Sequence, residues 1–268
     1  MTRIVLPLPV IEERIFMNNI QAAFENGKAF VAFITCGDPD LETTAAAIRQ
    51  AVQNGADMIE LGIPFSDPTA EGPVIQAANL RALANGVTTD KIFAMVEELR
   101  KEIKIPLLFM TYANVIFSYG TEAFIAKCSD AGINGIIVPD LPYEEKNEFQ
   151  PACTKYGVKL ISVIAPTSAN RIAMIAKNAE GFIYIASSIG VVGTRQVVYE
   201  DLESVVRKVC QNTTLPCVIG FGIAEPKQAK ALAQLADGVI VGTAIVKLLT
   251  EYGKKAPKRI GAYVKLLK

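Results

Sequence analysis

Glu60 stands in the middle of an apolar run, Met58-Ile-Glu-Leu61, and Glu71 follows in Gly62-Ile-Pro-Phe-Ser-Asp-Pro-Thr-Ala-Glu-Gly-Pro73. A carboxylate in a buried strand is costly in its charged form, because desolvation penalises the ion unless it is paired or protonated. Packing offers no use for Glu60 there, whereas a raised pKa and a transferable proton do. The plainer alternative makes Glu60 the partner of an internal lysine or arginine, and Glu71 a solvated loop acid. The chain has no histidine. That excludes Ser-His and Cys-His nucleophiles and His-ligated metals, and leaves acid–base work to carboxylates, tyrosine or lysine.

A second group of residues suits an anion. Ile219-Gly-Phe-Gly-Ile223 and Val241-Gly-Thr-Ala244 each close an apolar run with glycine, and a helix is expected to start at Thr243. Glycines let backbone N–H groups approach a phosphate, and a helix N-terminus adds its dipole. Gly193 could supply a further backbone donor. Read plainly, the same glycines are only tight turns. Tyr184 reads equally as core or as site wall, and so do Phe33, Met110 and Ile137. Lys254, Lys255, Lys258 and Arg259 read as the solvated flank of a helix.

The elements that must carry these residues alternate. Short apolar runs at 30–35, 58–61, 107–111, 135–138, 159–164, 181–185, 216–219 and 238–241 read as strands. Amphipathic stretches at 40–54, 91–101, 121–131, 144–156, 170–177, 199–211 and 226–235 read as helices between them. Continuous rather than alternating apolar strands imply a parallel sheet covered on both faces. Eight such units in 268 residues, 51% of them hydrophobic, favour a single (β/α)8 TIM barrel over a doubly wound sheet. An extra N-terminal helix is expected at 17–25, and extra helices in the loops. The barrel domain is expected over 17–268, preceded by an extension at 1–16 that lacks the cleavage site of a signal peptide. Sites in this fold sit at the C-terminal ends of the strands. The loops at 36–39, 64–73 and 187–196 are the conspicuous ones, and the last suits a mobile lid.

Lys+Arg and Asp+Glu both number 27, so charge points to neither nucleic acid nor a membrane surface. No apolar run approaches the ~20 residues of a span. Five cysteines without a C-x-x-C read as reduced thiols of a cytoplasmic protein.

From about Met17 onward the chain resembles the tryptophan synthase α-subunit family. The most specific stretch is Glu60-Leu-Gly-Ile-Pro-Phe-Ser-Asp-Pro-Thr-Ala-Glu-Gly-Pro73, joined by Thr35-Cys-Gly-Asp-Pro39, Met110-Thr-Tyr-Ala-Asn114, Pro139-Asp-Leu-Pro142, Ile164-Ala-Pro-Thr167, Gly190-Val-Val-Gly193 and Gly220-Phe-Gly-Ile223. The resemblance implies retro-aldol cleavage of indole-3-glycerol phosphate to indole and glyceraldehyde 3-phosphate. In it Glu60 matches the acid that protonates indole C3 and then serves as base toward the glycerol hydroxyl. Glu71 matches the carboxylate beside the indole N–H. The resemblance also implies that the phosphate lies on Gly193, Phe221, Gly222, Gly242 and Thr243, that Phe33 and Tyr184 line the indole pocket, and that no metal or organic cofactor is needed. It implies a β subunit that carries pyridoxal phosphate in an αββα complex, faced by Asp67, Pro68 and Asn114.

Two positions depart from the family pattern. Most members carry aspartate where this chain has Glu71, and threonine where it has Val192. A misplacement of ~1 Å at a reacting centre can cost ~100-fold in rate. An α-type subunit that acts mainly as allosteric partner of β, and a stand-alone lyase that releases indole, are the alternatives. A Schiff-base aldolase would need a lysine within a strand, and only Lys159 opens one.

Overall fold

A computed structural model describes residues 20–165, 168, 170–186, 199–220, 223 and 226–268. Eight parallel strands form a closed barrel in sequence order: β1 (Ala29–Thr35), β2 (Met58–Gly62), β3 (Leu107–Met110), β4 (Gly135–Ile137), β5 (Lys159–Ile164), β6 (Ile183–Ala186), β7 (Cys217–Gly220) and β8 (Gly238–Val241), with β8 pairing back onto β1. These are the eight apolar runs of the sequence, with ends displaced by a residue or two.

Helices cover the outside. They are α1 (Leu41–Gln53), α2 (Pro73–Ala84), α3 (Thr89–Arg100), α4 (Ala113–Tyr119), α5 (Thr121–Asp130), α6 (Gln150–Tyr156), α7 (Ile172–Lys177), α8 (Tyr199–Cys210), α9 (Pro226–Leu235), α10 (Thr243–Tyr252) and α11 (Ala256–Leu267). Extra helices do occur in the loops. Pro73 occupies the first turn of α2, where a missing N–H does no harm. The helix expected at 144–156 is in fact two pieces, a 3-10 turn at Tyr143–Glu148 and then α6. Pro151 explains the break, since its ring clashes with a preceding helical turn and fits only near a helix start. Of the expected N-terminal helix, the described part is a 3-10 turn, Ile20–Phe24, whose Phe24 ring packs 6.2 Å from Phe182. The expected extension at 1–16 lies outside the described residues.

Strand alternation sorts the core into two shells. Phe30, Ala32, Ile34, Ile59, Leu61 and Phe109 face the helices. Val31, Phe33, Met58, Leu108, Met110 and Tyr184 face inward. Glu60 lies between two outward residues of β2, so its side chain points into the barrel. The register places it level with Phe33 on one side and Leu108 on the other. Inward space is tight: a Cβ on Gly62 would come within 2.7 Å of Phe33 Cζ. Among the described residues no helix is long and apolar enough to cross a membrane.

At the end of the barrel where the strands begin, Arg100 ties the chain together. It donates to the carbonyl oxygens of Gly132 (2.7 Å), Ile103 (3.2 Å) and Ile105 (2.6 Å) and to Asn134 Oδ1 (2.6 Å). It is only 7% exposed, and burial lowers its pKa to about 10. Arg100→Met keeps the length but strands these acceptors. It should lower stability by about 3 kcal/mol, seen in thermal unfolding as a Tm several degrees lower.

Candidate active site

Glu60 is fully buried, and neither of its carboxyl oxygens has a hydrogen-bond partner among the described residues. Burial, with a smaller contribution from the charge of Glu71, raises its pKa to about 8. A group held this way is a neutral acid at pH 7. The plainer expectation, that Glu60 pairs with an internal lysine or arginine, does not hold.

Glu71 is not a solvated loop acid either, being 5% exposed. Its loop is held from two sides. Gln76 Nε2 donates to the Glu71 backbone oxygen (2.8 Å), and the Tyr112 hydroxyl donates to the Glu71 carboxylate. Tyr112 in turn accepts from Ala70 N (2.9 Å) and stacks on Phe65 at 5.2 Å. Burial raises the Glu71 pKa to about 7; the Tyr112 bond opposes that rise and nearby Asp140 adds to it. Tyr112 therefore favours the anion at Glu71, while Glu60 has no comparable donor among the described residues.

The environments push the two acids apart, which is how a site assigns one carboxyl to be acid and another to be charge stabiliser. Tyr112 lies within the Met110–Asn114 motif, where the sequence by itself assigns it no role. Its position just after an inward-facing strand residue, Met110, was the available signal.

Glu60, Glu71, Phe33, Tyr184, Gly242 and Thr243 line one cavity of about 30 Å³ at the C-terminal mouth of the barrel. Met110 joins the wall, whereas Ile137 belongs to the interior cluster without lining it. Tyr184 is both core and wall. A Cβ on Gly220 would lie 2.3 Å from the Tyr184 hydroxyl, so glycine there makes room for the ring. Burial, with the charges of Glu60 and Glu71, pushes the Tyr184 phenol far up, so it stays neutral. Gly242 caps α10 and Thr243 is its first residue. Gly193, Phe221, Gly222 and Val192 lie outside the described residues, as does the loop expected to act as a lid. Asp67 and Asn114 are exposed and Pro68 is half-buried.

A wider cavity of about 310 Å³ lies between the loop after β4 and α7. Its cations are engaged, Arg171 with Glu144 (2.7 Å) and Lys146 Nζ with Asn178 O (2.8 Å), and it contains neither carboxyl. Among the described residues no cluster of His, Cys, Asp or Glu could hold a metal.

The family described as tryptophan synthase alpha chain matches residues 19–266. A tryptophan synthase alpha chain of Lacticaseibacillus casei is 46% identical, over 94% of this chain and 95% of that protein. Among solved structures, the tryptophan synthase alpha chain of Legionella pneumophila superposes with a TM-score of 0.82 at 34% identity, covering 93% of this chain and 95% of that one. A chain of the Pyrococcus furiosus tryptophan synthase complex superposes with a TM-score of 0.80 at 31% identity, covering 90% and 98%.

The raised pKa of Glu60 makes folding depend on pH. Its proton is held more tightly folded than unfolded, so the stability it contributes is complete below about 4.5 and is lost as pH rises through about 8. Glu60→Gln keeps the shape without the ionisation. Thermal unfolding between pH 5 and 9 should therefore show a flatter Tm profile for the variant, with the larger gain over the parent chain on the alkaline side.

Proposed function

The chain belongs to the tryptophan synthase alpha chain family, and we propose that Glu60 and Glu71 divide that family's reaction between them. The reaction is the cleavage of indole-3-glycerol phosphate to indole and glyceraldehyde 3-phosphate, a carbon–carbon lyase step of tryptophan biosynthesis. The observation that carries the division is the contrast between two acids in one cavity: Glu60 neutral and without a hydrogen-bond partner among the described residues, Glu71 held by Tyr112.

The bond to be broken joins indole C3 to the glycerol chain, and indole leaves only once C3 is protonated. The neutral Glu60 carboxyl supplies that proton. The resulting carboxylate then takes the proton of the neighbouring glycerol hydroxyl as the carbon–carbon bond opens and the aldehyde forms. Glu60 ends as it began, protonated. Protonation at C3 moves positive charge onto the ring nitrogen, and an anionic Glu71 accepting that N–H stabilises the intermediate. Glu60 is fully buried and Glu71 nearly so, which strengthens both effects.

Phe33 and Tyr184 supply flat apolar walls for the indole ring. Backbone N–H groups at Gly242 and Thr243, at the start of α10, suit the phosphate, with Gly193, Phe221 and Gly222 completing the set. No metal or organic cofactor enters this chemistry. Asp67 and Pro68 belong to the loop after β2 and Asn114 to the first turn of α4, and we assign them to contact with a β subunit in an αββα complex. Pyridoxal phosphate would be carried there, where indole is consumed. A cytoplasmic setting fits the scattered free thiols.

Glu60→Gln should lower indole release from indole-3-glycerol phosphate by ~10³-fold or more in a single-turnover assay, with the fold retained; turnover equal to the parent would remove Glu60 from the acid role. The parent kcat/KM should rise as Glu71 ionises near pH 7 and fall as Glu60 loses its proton near pH 8, giving a narrow optimum between them. Glu71→Asp combined with Val192→Thr tests the departure from the family pattern. A loss of cleavage shows that the longer acid and the valine are matched. A gain of tenfold or more instead favours a subunit that works mainly as allosteric partner of β.

A further inference from the structure

The cysteines take no part in the cleavage, yet two of them are neighbours. Cys210 ends α8 and Cys217 opens β7, at the end of the barrel where the strands begin, away from the carboxyl pair. Their sulfurs are 3.9 Å apart. A disulfide between them requires that gap to close to ~2 Å. The turn between them is short and internally braced, with Leu215 N donating to Thr213 Oγ1 (3.2 Å) and Cys217 Sγ resting on Leu215 O (3.9 Å).

Exposure separates the pair into two roles. Cys210 is open to solvent, whereas Cys217 is wholly buried, as are Cys36, Cys128 and Cys153. An incoming reagent therefore meets Cys210 first. We infer that Cys210 and Cys217 form a redox-active dithiol that exchanges with low-molecular-weight disulfides such as oxidised glutathione, Cys210 attacking and Cys217 resolving.

The Cys210 thiolate displaces one glutathione thiolate and forms a mixed disulfide. Cys217 then loses its proton, attacks Cys210 Sγ and displaces the second glutathione. The protein gives up two electrons and two protons, and one oxidised glutathione becomes two reduced ones. Burial and the nearby Cys210 sulfur push the Cys217 thiol up, which slows its deprotonation. Contact with Cys210 offsets this, because an intramolecular attack needs no encounter.

Both sulfurs fall within one tryptic peptide, residues 209–227. The full chain is to be incubated with oxidised glutathione, its remaining thiols alkylated, and that peptide weighed. The expected parent product lacks two hydrogens and carries neither alkyl group nor glutathione. Cys217→Ser should accumulate glutathione on Cys210, and Cys210→Ser, at an exposed position, should leave Cys217 reduced. A parent chain that keeps glutathione stably on Cys210, or a Cys210→Ser chain thiolated at Cys217 as fast as the parent reacts, would overturn the proposal.

Discussion

A carboxyl group enclosed in an apolar barrel, with no hydrogen-bond partner among the described residues, holds its proton well above the usual range, and the mouth of this barrel is built around that fact. Glu60 is on the inner face because β2 alternates, and it is level with Phe33 and Leu108 because the register of a closed parallel sheet leaves no slack. Surrounding apolar walls raise the cost of the anion and so keep the proton available. Nothing about the acid itself is unusual. Its position does the work.

The second carboxyl shows how little separates the two environments. Glu71 is almost as buried, yet the Tyr112 hydroxyl offers it a donor, and Glu60 has none among the described residues. That hydroxyl is fixed by Ala70 N and the ring by Phe65, so the loop after β2 and the segment after β3 hold each other in place. Asp140 reaches into the same region by accepting from Ala113 N at 3.0 Å, and so links the loop after β4 to it. Three consecutive strand ends thus cooperate in setting the charge on one oxygen pair.

Much of this was legible in the sequence. The eight strands announce themselves as continuous apolar runs, and a lone acid inside one of them already points to a proton rather than to packing. Strand periodicity even says which way Glu60 faces. Other features could not be read that way. The split of the 144–156 stretch depends on Pro151, which sits inside an otherwise helical pattern. Tyr112 serves Glu71 across forty-one positions of chain, and local periodicity carries no information about such a meeting. Gly220 reads as a flexible turn, but the reason for it in the structure is steric, since the Tyr184 ring fills the space of a side chain.

Gly62 beneath Phe33 and Gly220 beneath Tyr184 bear on how this pocket could diverge. Each aromatic ring occupies the volume that its glycine leaves free, so neither position can acquire bulk while its partner ring stays. A chain with a wider or narrower slot must exchange ring and glycine together, through intermediates that are overpacked or hollow. Such linked exchanges are rare in a single mutational path. The width of the slot is therefore set by two ring–glycine pairs and not by any single residue.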